Sequence, residues 1–191
     1  MIERLANGLI EQMTEEKMID QDLKEHYIYA FITLTERFIT VGSIILISFV
    51  VKMFIPTIFF LFFFFALRKR TGGYHFDKFY QCYLGTIIAY LVTVIINAFM
   101  INYPLFLMGV LLIAIVVIET IGTVNHPNMN MDIRELVESQ KAARLVTLLE
   151  GSIIYCFVIL GADMVVISYM AIAVILCAAL LCIAKIIKQE V

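Results

Sequence analysis

Residues 79–118 read FYQCYLGTIIAYLVTVIINAFMINYPLFLMGVLLIAIVVI, and no charge interrupts them between Lys78 and Glu119. A helix that crosses the ~30 Å hydrocarbon core of a bilayer uses about 20 residues, each rising about 1.5 Å. The run is therefore long enough to cross twice. Asn102, Tyr103 and Pro104 supply a turn near its middle, with a proline suited to the start of a new helix because its missing N–H would have no partner there.

Outside this pair, charge marks the remaining spans, because an ionised group at mid-bilayer costs at least about 2.5 kcal/mol. Residues 38–51, 53–67, 151–162 and 164–184 are uncharged, with Arg37, Lys52, Arg68, Glu150, Asp163 and Lys185 at their borders. Six helices are expected, roughly 36–53, 55–68, 82–101, 104–119, 145–162 and 164–185. The composition agrees: 62% hydrophobic and 16% charged, against about 45–50% and about 25% for a soluble domain. A soluble globular protein is excluded, and 14 basic residues against 16 acidic ones leave no basic stripe for nucleic acid. The expected fold class is an all-α integral membrane protein with one membrane domain over 1–191. Within it, 1–35 is an amphipathic lead-in and 36–185 a six-helix bundle.

Basic residues stay on the cytoplasmic side of a membrane and so set orientation. Lys52 aside, they sit in one set of segments: Arg4, Lys17, Lys24 and Arg37; then Arg68, Lys69, Arg70 and Lys78; then Arg134, Lys141 and Arg144; then Lys185 and Lys188. Both termini are expected in the cytoplasm, together with loops over 68–81 and 120–144. The outer connections shrink to turns near Lys52, Asn102 and Ala162, too small for a receptor domain. The first apolar run begins only at Phe38, which is not the layout of a cleaved signal peptide.

Ile2, Leu5, Leu9 and Met13 recur at helical spacing, the pattern of an amphipathic helix at a membrane surface or against a partner helix. Residues 1–26 carry seven acids and three basic residues, so an anionic lipid surface would not attract them by charge. The stretch Asn125-His126-Pro127-Asn128 reads as a turn. Asp132 can cap a short helix in which Arg134, Glu138 and Lys141 form exposed pairs. Phe59, Phe60 and Phe62 to Phe65 read as lipid-facing bulk.

Cys156, Cys177 and Cys182 lie in apolar stretches, where a thiol behaves as a small hydrophobe. No His, Asp or Glu stands at ligand spacing beside them, so no metal site is signalled, and their placement argues against a disulfide framework. Cys82 differs. It follows the basic segment 68–78, the kind of cationic surrounding in which reactive cysteines occur, and His75 precedes it by seven residues. A thiol and an imidazole are the minimal kit for acyl transfer, the imidazole taking the thiol proton and later protonating the leaving amine. In one continuous helix the two would stand about 10.5 Å apart along the axis, so pairing requires a break, which Gly72-Gly73 offers. Spacing alone leaves two readings open, a catalytic pair or a plain loop with an incidental His and Cys.

Arg68, then Gly72-Gly73, Tyr74-His75 and Cys82 resemble the signature of the accessory gene regulator B family, membrane cysteine endopeptidases of Gram-positive quorum sensing. The resemblance extends over the whole chain, from the amphipathic start through six helices to a second loop with Pro127-Asn128. It implies that Cys82 is the nucleophile, His75 the general base, and Arg68 and Gly73 supporting positions, with Gly72 beside them. Phe76, where the family usually has a small residue, and Tyr29-Ala30 in place of a Tyr-Gly pair are departures that bear on substrate fit. The implied reaction removes the charged C-terminal segment of a short precursor peptide through a Cys82 thioester, then passes the acyl group to the peptide's own thiol or hydroxyl to close a thiolactone or lactone. The resemblance also implies a homodimer in the cell membrane of a Gram-positive bacterium. The chemistry calls for no cofactor, metal or nucleotide.

Several other polar residues stand near this loop. Asp77 could orient His75, although two residues along an extended segment it would point away. Arg68 could hold an acidic part of the peptide or the loop itself. Gln81 or a backbone amide could serve an oxyanion. Glu119 and Glu150 sit near the expected cytoplasmic ends of helices 4 and 5, where interfacial capping or contact with a basic substrate residue are the alternatives. A rival of another class is a non-enzymatic six-helix carrier, similar to the substrate-binding subunits of vitamin importers. It accounts for size and hydrophobicity but not for the Gly-Gly-Tyr-His and Cys82 constellation.

Overall fold

The computed structural model describes residues 2–16, 18–72, 79–125 and 131–187. Every regular element among the described residues is helical, as the charge map requires. The chain divides into two compact units, Met1–Ile47 and Ser48–Val191.

In the first unit, α1 (Ile2–Glu15) buries Ala6 and Ile10 and leaves Glu11 and Gln12 exposed, so it is two-faced, but Leu9 of the expected apolar stripe is exposed and Ala6 and Ile10 take the inward face. Glu11 reaches Lys24 at 3.4 Å, and a short 3-10 turn (Gln21–Leu23) leads into α2 (Lys24–Val50). This helix starts at Lys24 rather than near residue 36. The charges at Glu36 and Arg37 mark where lipid can begin but do nothing to stop the backbone ladder, and no glycine or proline falls between Lys24 and Val41. Along α2 the hydroxyls of Thr33, Thr35, Thr40 and Ser43 fold back onto the carbonyls four residues earlier, at 2.8–2.9 Å. Each polar group is thus satisfied within the helix, as a helix in hydrocarbon requires.

The second unit holds α3 (Phe54–Thr71), α4 (Phe79–Met100), α5 (Pro104–Ile121), α6 (Ile133–Ile159) and α7 (Met164–Ile186). Lys52, with φ 57, makes the sharp turn before α3, and the Phe49 and Phe54 rings stack across it with centroids 4.4 Å apart. Pro104 opens α5 at the expected turn. Asp132 caps α6 through a reciprocal box with Glu135, at 2.7 and 3.1 Å, and Asp163 caps α7 by accepting from the Val165 amide at 2.9 Å. The short helix and the span expected at 145–162 are one helix, α6, because nothing between Ile133 and Glu150 breaks it.

α7 is the centre. It packs against α3, α4, α5 and α6, and a continuous run from Ile167 to Val174, with Cys177, Ala178, Leu181 and Ala184, is buried. A helix apolar all round belongs in such an interior position. α3 and α5 also lean on α6, whereas α4 touches α7 and, more sparsely, α5. The phenylalanine run of α3 corrects the lipid-bulk expectation: Phe60, Phe63 and Phe64 are buried and Phe62 is exposed. Phe60 lies against Tyr90 and Tyr169, with centroids at 6.1 and 6.4 Å. A continuous apolar run carries no face signal, so only the neighbours decide which rings turn inward.

Among the described residues, five helices are long and apolar enough to cross a membrane: Gln21–Val50, Phe79–Met100, Pro104–Ile121, Ile133–Ile159 and Met164–Ile186. The sixth expected span exists as α3, but its last turn carries Arg68, Lys69 and Arg70. That leaves too short an apolar stretch to meet the same standard.

Candidate active site

The site is built where α3 ends. Gly72 takes φ +64 and ψ −132, a conformation that a side chain would strain, and its amide donates to the Arg68 carbonyl at 3.2 Å. α3 therefore breaks where the Gly72-Gly73 pair predicts. The Arg68 guanidinium folds over the break and donates to the Gly72 carbonyl.

Two further carbonyls of this last turn, those of Arg70 and Thr71, which a helix end leaves without partners, are taken up by the α5–α6 connection and the start of α6. The Thr123 hydroxyl donates to the Arg70 carbonyl at 2.9 Å, and the Ser139 hydroxyl donates to the same oxygen at 3.1 Å. The Val124 amide donates to the Thr71 carbonyl at 3.0 Å. Thr71, Gly72, Thr123 and Val124 are all buried. The connection is itself fixed. Gly122 ends α5 with φ +77 and lies so close to α6 that an added Cβ would stand 3.1 Å from Gln140 Cγ. Asn125 brackets the far end, its Nδ2 donating to the Met131 carbonyl at 3.0 Å and its Oδ1 accepting from the Met131 amide at 3.1 Å.

α4 resumes the chain at Phe79 and carries Cys82 near its start. Cys82 and Thr86 are half-buried, and Tyr90, Thr93 and Asn97 are buried, so these five positions form one stripe at spacings of three and four along α4. That stripe is the helix face turned to the bundle. The Tyr90 hydroxyl meets Thr57 of α3 at 2.7 Å and ties the two helices together. At the other end of the stripe, the Arg68 guanidinium lies within electrostatic reach of Cys82 and of Cys177. The thiol of Cys177 donates to the Phe64 carbonyl at 3.7 Å, a buried group spent on packing.

Arg68 and Gly72 are thus joined by a hydrogen bond, with Cys82 in electrostatic reach of the guanidinium, and Gln81, next to Cys82 in the chain, is half-buried. Gly73, His75 and Asp77 lie outside the described residues, as do Phe76 and the turn at His126, Pro127 and Asn128. Cys182 is half-buried and Cys156 exposed on the surface of α6, and neither is bonded to another cysteine.

The two glutamates depart from the capping expectation. Glu150 lies inside α6 rather than at its end, because the helix continues to Ile159, and it is only 5% exposed. Both of its carboxylate oxygens lack a hydrogen-bond partner among the described residues. Glu119 is in the last turn of α5, as expected, yet its Oε1 is buried and likewise without a partner among the described residues.

Sequence reading missed Thr123 and Ser139. Their bonds cross 53 and 69 residues, and a hydroxyl in a polar connection carries no mark of so distant an acceptor. Among the described residues no group of His, Cys, Asp and Glu could hold a metal ion.

The family model for Accessory gene regulator B matches residues 2–187. Comparison with curated proteins and with solved structures returns no match.

Proposed function

The chain belongs to the accessory gene regulator B family, and from that premise we propose that it is a membrane cysteine endopeptidase that matures a short peptide signal. Membership supports propeptide processing in quorum sensing. The observation that supports the finer reading is the break of α3 at Gly72, where the Arg68 guanidinium folds onto the Gly72 carbonyl within electrostatic reach of Cys82. Pairing of His75 and Cys82 at a seven-residue spacing requires a departure from one continuous helix, and α3 ends before it reaches them.

In the proposed reaction His75 takes the Cys82 proton, and the sulfur attacks the carbonyl carbon at the end of the peptide's core. The C–N bond breaks, the amine leaves with the proton from His75, and the core stays on Cys82 as a thioester. The peptide's own thiol or hydroxyl then attacks that carbonyl and Cys82 departs as the leaving group, closing a ring. Ring closure outruns hydrolysis only if the internal nucleophile is held close, where effective molarities of about 10⁵ M or more exceed that of water, and if water is kept out. A site framed by helix ends inside a bundle supports both conditions.

In the same reading all six helices cross the membrane, with both termini and the site on the cytoplasmic side, and two copies associate. The apolar stretch 53–67 reaches about 22 Å at helical rise, short of a ~30 Å hydrocarbon core. The bilayer thins around α3, or the end of α3 sits below the headgroups.

The test is cleavage of the precursor peptide by the protein in lipid. Cys82→Ala abolishes it, and His75→Ala nearly so, because an unassisted thiol of pKa about 8.5 is only a few per cent thiolate at neutral pH. Cys156→Ser, Cys177→Ala and Cys182→Ala keep at least partial activity. A precursor whose own core cysteine is changed to alanine leaves a hydroxylamine-sensitive adduct on Cys82, or drains slowly to a linear peptide. Full cleavage by the Cys82→Ala protein, or an adduct on another cysteine, overturns the reading.

A further inference from the structure

We propose that Thr123 and Ser139 are positioning residues for the reaction, acting through the main chain of α3: they hold the end of that helix, from which the sequence runs on to the proposed general base. The inference deepens the proposed function and rests on it.

Four acceptors at the end of α3, the last three of them consecutive, are each engaged. The Arg68 carbonyl takes the Gly72 amide, the Arg70 carbonyl takes two hydroxyls, the Thr71 carbonyl takes the Val124 amide, and the Gly72 carbonyl takes the Arg68 guanidinium. An ordinary helix end in a basic loop would leave such carbonyls to water. Here three of the donors come from elements far along the chain, the α5–α6 connection and the first third of α6, so the end of α3 is held from outside. The Arg70 carbonyl is the focus, because two hydroxyls from different elements converge on one oxygen.

The clasp has its own supports at a glycine and an asparagine of the connection. Gly122 holds it within van der Waals range of Gln140, and Asn125 bonds both main-chain groups of Met131. Pure stability would be served as well by apolar contact. Directed hydrogen bonds set an angle, and a catalytic base displaced by about 1 Å loses on the order of 10²-fold in rate.

Removing the two hydroxyls while keeping bulk tests the idea. For the Thr123→Val, Ser139→Ala double variant in lipid, kcat for precursor cleavage falls about 10- to 100-fold while KM stays within about twofold. Alkylation of Cys82 by iodoacetamide at pH 7, followed by site-resolved mass spectrometry, slows toward the rate of the His75→Ala protein. Thr123→Ser, which restores a donor, recovers most of kcat alone or beside Ser139→Ala. Thr120→Ala is the control, because the Thr120 hydroxyl bonds only to carbonyls of its own helix, and it leaves both rates unchanged. A double variant with wild-type kcat and wild-type alkylation overturns the clasp, and so does one that loses only thermal stability. If the unaltered protein cleaves no precursor and Cys82 alkylates no faster than in the His75→Ala protein, it is the peptidase reading that falls, and the clasp with it.

Discussion

Glu150 is the residue whose surroundings least resemble what its charge would choose. It is buried in mid-α6 with both oxygens unpartnered among the described residues, within electrostatic reach of the Cys177 thiol. A buried polar group without a partner costs about 1–3 kcal/mol, and replacing it by an apolar side chain of similar volume relieves that cost. Glu150→Leu is therefore expected to unfold at a higher temperature in lipid than the parent protein, and Glu150→Gln to fall between. Precursor cleavage by Glu150→Gln separates packing from function: retained kcat removes Glu150 from the site, whereas loss of kcat with raised stability marks a residue kept at the expense of the fold. Sequence reading noticed this glutamate but put it at a helix end, because charges were used to mark span borders and a charge inside a helix then has no place. Cys82 and Arg68 stand out for the opposite reason. They belong to one local segment, where the break at Gly72 is readable from the glycine pair, whereas their roles come from the family signature and not from spacing alone.

At the scale of elements, α5 and α6 approach so closely that Gly151 has no room for a side chain. An added Cβ would stand 2.8 Å from Ile115 Cδ1, the tip of a flexible side chain. Gly151→Ala is expected to cost under about 1 kcal/mol as Ile115 rotates away, whereas Gly151→Leu forces the helices apart and costs about 1–3 kcal/mol. Reversible unfolding in mixed micelles would resolve the two. Equal, negligible losses would mean that the helices are free to separate. The turn at Asn102 to Pro104 and the cap at Asp132 were both readable, since proline and a Ser/Thr/Asp/Asn cap act within one turn of where they stand. The starts of α2 at Lys24 and of the long α6 at Ile133 were readable only in part. Helices end at breakers, spans end at charges, and the two coincide only when a loop follows directly.

For the whole molecule, the proposed orientation rests on the distribution of basic residues. Single cysteines introduced as Tyr103→Cys or Asp163→Cys, in a chain lacking the native four, are expected to react with an impermeant maleimide added to intact cells. Arg134→Cys, on an exposed helix start, is expected to react only after permeabilisation. Labelling of Arg134→Cys from outside would invert the topology and remove a cytoplasmic site. The helical class and the α4–α5 pair follow from hydropathy, because lipid penalises every unpaired backbone group and every exposed charge. The order in which helices pack around α7 does not follow. All of them are apolar enough to touch any other, and side-chain shape makes the choice.

That central position has a consequence in time. α7 is the last of these helices to leave the ribosome, yet it is the neighbour that α3, α4, α5 and α6 share. Until it arrives, the earlier helices can insert one by one, each stable in lipid on its own backbone bonds, with α6 to join α3 and α5 but with α4 left without its main neighbour. The inward stripe of α4 then has little to hold it in register. In the proposed reading, activity is in this way tied to the emergence of α7: a nascent or truncated chain that lacks it carries Arg68 and Cys82 on helices without their shared neighbour.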